Sequence, residues 1–87
     1  MKLVRTEMEL CNLPLDRLMG YLVEAGGQPD GNRAVRSEGW SAVLIEMEPA
    51  QVSVIRVPRD LLVIEGDHDA VERVQALMRR RTMRGGG

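Results

Sequence analysis

Apolar and polar residues alternate from Lys2 to Leu10. Val4, Thr6, Met8 and Leu10 fall on one side and Arg5, Glu7 and Glu9 on the other, the period of a half-exposed strand. Asn12 and Pro14 then mark a helix start, the proline sitting in the first turn, where its missing N–H costs nothing. Leu15, Leu18, Met19, Leu22 and Val23 supply the apolar stripe of that helix. Gly20 interrupts it, at a cost of up to about 1 kcal/mol relative to alanine. A close backbone approach to the sheet would account for it. Gly26 and Gly27 end the helix in a left-handed cap.

Residues 26–32, GGQPDGN, read as a loop, and Arg33 to Ser37 as a short strand that turns through Ser37, Glu38 and Gly39. Trp40 to Met47 alternates again, with Trp40, Ala42 and Leu44 on one face and Val43, Ile45 and Met47 on the other. Glu48, Pro49 and Ala50 predict a hairpin connection, Gln51 to Val57 a further strand, and Pro58, Arg59 and Asp60 a turn. Leu61 to Ile64 is a continuous apolar run, the pattern of a strand near the centre of a sheet. Gly66 breaks that strand and Asp67 is a suitable N-cap. Val71, Val74, Leu77 and Met78 then repeat on one helix face, opposite Glu72, Arg73, Gln75, Arg79 and Arg80. Asp69 and Arg73, four apart, are placed to pair.

This order predicts an α+β fold: a single antiparallel sheet of four or five strands with two helices on one face, as strand, helix, three or four strands, helix. Residues 1–81 form one domain and 82–87 a flexible glycine-rich tail. Each helix has one apolar stripe, yet both faces of the middle strands are apolar. A homodimer that buries the second face follows, with Trp40, Ala42 and Leu44 as the expected self-association face.

Composition narrows the chemistry. Eighty-seven residues leave no room for a second core. There is no Phe, one Tyr and one Trp, so stacking on bases has few candidates. A net charge of -1 creates no field that recruits nucleic acid or membrane. The single cysteine, Cys11, excludes an internal disulfide and fits a reducing cytoplasm. No stretch has the apolar length of a membrane span, and the N-terminus lacks a signal peptide's apolar core.

Candidate chemistry is sparse. Asp67, His68 and Asp69 adjoin, but consecutive residues of a helical turn point apart and no second cluster supports them as metal ligands. Cys11 and His68 offer a thiol and a base with no oxyanion-hole motif. Glu46 and Glu48, like Glu7 and Glu9, share strand faces, where charge protects an exposed surface. No catalytic residue, metal or cofactor is expected. The least ordinary stretch is RRRTMRGGG, where Arg79, Arg80, Arg81 and Arg84 concentrate positive charge as candidate phosphate or partner contacts. Cations at a helix C-terminus are also favourable without any ligand.

Three family patterns bear on these segments. VIEGDHDAVERVQALM resembles the last strand and helix of a KH RNA-binding domain, but the G-x-x-G loop between helices is missing. The terminal Gly86-Gly87 is similar to the tail of ubiquitin-like sulfur carriers, whose last glycine is adenylated and thiolated. Those carriers open with a hairpin and their tail follows a strand; here a strand and helix open the chain and the tail follows a helix. Over nearly the whole chain, LPLDRLMGYLVEAGG early and LLVIEGDHDAVERVQALM late resemble the C-terminal domain of the MoaD-related proteins. That resemblance implies a TATA-binding-protein-like fold of one strand, a helix, four strands and a helix, and supplies no catalytic residue. The function expected is a non-catalytic cytoplasmic interaction domain, its partner a second copy or another protein. Nucleic-acid binding through the arginine-rich helix end comes second, and the sulfur carrier third.

Overall fold

The computed structural model describes residues 2–83. Its elements are β1 (Leu3–Cys11), α1 (Leu15–Glu24), β2 (Gln28–Pro29), β3 (Ala34–Ser37), β4 (Trp40–Val52), β5 (Ile55–Asp67) and α2 (His68–Met83). The strands form one antiparallel sheet in the order β1-β5-β4-β3-β2. This is the α+β architecture expected, with five strands and two helices. The apolar run Leu61 to Ile64 lies on β5, which is paired on both edges, to β1 and to β4.

Both helices lie on one face. α2 packs on β1 and β5, and α1 on β2, β3 and α2. Leu18 and Leu22 of α1 and Val71, Val74 and Met78 of α2 join Leu10, Val35, Trp40, Ala42, Leu44, Leu62 and Ile64 in one buried cluster. Each large aliphatic side chain in it contributes about 1.5–3 kcal/mol by leaving water. α1 ends as predicted: Gly26 has φ +109 and its N–H donates to Val23 O, while the Gly27 N–H donates to Leu22 O. Gly27 also lets the helix end touch the sheet, because a Cβ there would lie 2.9 Å from Val35 Cβ.

Five local expectations need correction. The hairpin does not turn at Glu48–Ala50. β4 runs on through a register shift between Met47 and Ala50, the chain reverses at Ser53 and Val54, and β5 continues unbroken through Pro58, Arg59 and Asp60. Gly20 does not approach the sheet; a Cβ there would meet nothing within 4 Å. Gly66 does not break its strand but pairs with both Val4 and Trp40. It is needed because a Cβ would lie 2.2 Å from Gly39 O, at φ +147. Asp69 meets the ring of its neighbour His68 at 3.1 Å rather than Arg73. α2 includes Thr82 and Met83, which the sequence assigns to the tail; residues 84–87 lie outside the described residues.

Candidate interaction surface

One sheet face lies under the helices. The opposite face can be written as rows, since antiparallel partners point the same way. One row in from the Leu3–Asp67 pair at the start of α2, Arg5, Glu65, Ser41 and Arg36 form a charged row. The next holds Glu7, Val63, Val43 and Ala34, and the one after it Glu9, Leu61 and Ile45. Cys11, Arg59 and Met47 follow. Beyond Cys11 only the hairpin continues, with Ala50 opposite Val57 and Val52 opposite Ile55.

The result is an apolar stripe along the whole β4–β5 hairpin. Ile45 is 45 % exposed, Val52 59 %, Ile55 61 % and Val54, in the turn, 89 %. Val63 is buried on this face by its neighbours and is not part of the helix-covered cluster. The outer half of the hairpin has neither a third strand nor a helix against it among the described residues. Charges flank the stripe and are paired: Arg5 with Glu7 at 3.2 Å, and Arg59 with Glu9 at 2.8 Å. The Arg59 Nε–H also donates to Glu48 O at 2.8 Å, which holds the guanidinium to one side of the apolar rows.

Trp40, Ala42 and Leu44, expected to form the self-association face, are instead 3 %, 5 % and 1 % exposed beneath the helices. The two-face pattern of β4 is real, but the helices take the face with the tryptophan, and Val43, Ile45 and Met47 are left bare. Arg79, Arg80 and Arg81 occupy the last turns of α2 and are exposed. They do not act as one cluster: the Arg81 guanidinium makes two hydrogen bonds to the Glu24 carboxylate of α1. That contact raises the Arg81 pKa and lowers that of Glu24. Arg84 lies outside the described residues.

The remaining candidates are dispersed. Cys11 is exposed at one end of β1, and His68 follows Asp67, which pairs with Leu3 at the other end. Eight strand steps, roughly 26 Å, keep thiol and imidazole apart. His68 faces Asp69 and, at 3.4 Å, Glu72 of its own helix. Among the described residues, no three His, Cys, Asp or Glu side chains gather as metal ligands, and no helix is long and apolar enough to cross a membrane. Glu46 lies 4.0 Å from Arg33 on the helix side of the sheet. The sequence could not reveal the outer hairpin as part of the surface, because Pro49 and Pro58 make it look like two turns.

A family model described as archaeal MoaD-like protein matches residues 6–87. No curated protein matches the chain.

Proposed function

This chain belongs to the archaeal MoaD-like protein family, and we propose that it is a non-catalytic protein-interaction domain that docks through the helix-free face of its β4–β5 hairpin. The apolar stripe from Val43 and Val63 to Val52 and Ile55 carries this reading. Scattered exposed aliphatics are ordinary, but a contiguous apolar strip with a polar rim is the anatomy of an interface. The rim arginines and carboxylates already satisfy one another, so they limit the surface without demanding a charged partner.

A photoreactive side chain at Ile45, compared with one at Arg73 on the exposed face of α2, tests the proposal in the source cell. A discrete adduct with a second copy or another protein should form from position 45 alone. No adduct at 45, or equal adducts at both positions, refutes it.

A second reading, a sulfur carrier activated at Gly87, is favoured by the terminal Gly86-Gly87 in a chain of a MoaD-like family. The architecture weighs against it, since a helix rather than a strand leads towards the tail. Its mark would be a C-terminal thiocarboxylate on protein recovered from its cell, absent when one residue is appended to Gly87.

A further inference from the structure

The apolar stripe is close to symmetric about its own midpoint. We infer that its occupant is a second copy of this chain, packed face to face with the two hairpins antiparallel. The inference rests on the docking role of this face. On one side of the Met47–Arg59 pair stand Ile45–Leu61 and Val43–Val63; on the other stand Ala50–Val57 and Val52–Ile55. A two-fold axis through Met47–Arg59, across the strands, sets apolar pairs on apolar pairs. The small Ala50–Val57 pair meets the bulky Ile45–Leu61 pair of the second copy, and Val52–Ile55 meets Val43–Val63. Large against small is the condition for interdigitation.

The turn then has a place to go. One row beyond Val43–Val63, a cleft of about 760 Å³ is lined by Leu3, Arg5, Arg36, Ser41 and Glu65. In the antiparallel arrangement the turn of the second copy, with its 89 % exposed Val54, arrives over this cleft. Arg5 and Arg36 at its rim are already engaged, by Glu7 at 3.2 Å and by Asp30 at 2.9 Å, so the turn enters without having to neutralise a free charge.

Charge selects this axis over its alternative. A two-fold running along the strands would lay Arg5 over Arg36 of the second copy, because both lie in one row. Across the strands, Glu7 and Glu9 have no counterpart opposite them, since β1 stops at Cys11. Arg59 falls on the axis, but its guanidinium is drawn aside by Glu9 and Glu48. The second copy also supplies the layer that the outer hairpin lacks, and a lone two-stranded ribbon is marginal in water. The stripe from Val63 to Ile55 covers eight strand steps, roughly 26 Å; with a turn over the cleft at each end the contact reaches about 40 Å by about 10 Å, a total burial on the order of 1,000 Å², where specific interfaces begin. The dimer is therefore concentration-dependent.

Sedimentation of the full chain over a concentration series, with Cys11→Ser to remove the native thiol, measures the equilibrium. Nitroxide labels introduced through Glu48→Cys or Ser53→Cys report the arrangement. The expected result is a monomer–dimer equilibrium whose Kd rises at least tenfold with Ile45→Glu at unchanged circular dichroism. Labels at 48 should be close, and those at 53 more than about 30 Å apart. A monomer at every concentration overturns the inference, as does a dimer indifferent to Ile45→Glu or one with its turns together. If that monomer still forms adducts with another protein from position 45, the second copy is excluded and the docking role of the face survives.

Discussion

The Arg33 guanidinium and the Asp60 carboxylate meet at 2.9 Å across a separation of 27 residues. Asp60 is 7 % exposed and points to the helix side of β5, at the row where it pairs with Leu10 and Glu46. Arg33 arrives from the loop before β3, and the same Nη1 donates to Leu44 O at 3.3 Å. The pair closes the end of the core where the hairpin leaves the rest of the sheet. Arg33→Met would keep much of the packing but leave a buried carboxylate with no cation, so urea unfolding should show a loss of about 2 kcal/mol. Adding Asp60→Asn should recover part of that loss.

Gly20 offers the opposite case. It lies in α1, exposed, with open space where a Cβ would be. Alanine there reduces the entropy of the unfolded chain and meets no clash. Gly20→Ala should stabilise the domain by about 0.5–1 kcal/mol, seen as a higher urea midpoint at an unchanged slope.

The two helices, the β1 alternation and the central position of Leu61 to Ile64 were legible because each depends on a period within one segment. Which face of β4 lies under the helices was not legible. Trp40, Ala42 and Leu44 compete with Val43, Ile45 and Met47 on nearly equal apolar terms, and the choice is made by register with β1 and β5. Pro49 and Pro58 misled for a related reason. Pro49 sits in the register shift of β4, and Pro58 lies one residue past the point where β1 stops pairing with β5. Both are places where a strand tolerates proline, and neither can be recognised before the pairing is known.

The Glu24–Arg81 contact sets a pH dependence. The hydrogen bond from Arg81 is the main cause that holds the Glu24 carboxyl below its ordinary value of 4.5. A folded-state pKa below the unfolded one adds stability that is complete above the unfolded value. It is lost as pH falls through the folded value. Glu24→Gln should therefore lose less stability than the parent as acid is added below pH 4.5. Around neutrality the two should show the same slope. Both groups are solvent-exposed, so the difference should be small and should shrink with salt. Thermal melts across a pH series at two ionic strengths check it.

The outer hairpin should be dispensable for folding and required for association. Residues 48–58 contribute no side chain to the helix-covered cluster, and beyond Arg59 β5 pairs with β4 alone, apart from one bond from the Asn12 N–H to Pro58 O. Met47 and Arg59 face each other directly, so Asn-Gly in place of residues 48–58 would make a two-residue turn between them in the native register. The shortened chain loses the Arg59 bond to Glu48 O and the Asn12 N–H bond to Pro58 O, but keeps Arg59 with Glu9 and Arg33 with Asp60. Its unfolding free energy should stay within about 2 kcal/mol of the parent, the scale of two exposed hydrogen bonds. It should also remain a monomer at concentrations where the parent associates. A collapse of stability on shortening would mean that the hairpin holds the core together, and its bare apolar face would then need no partner to explain it.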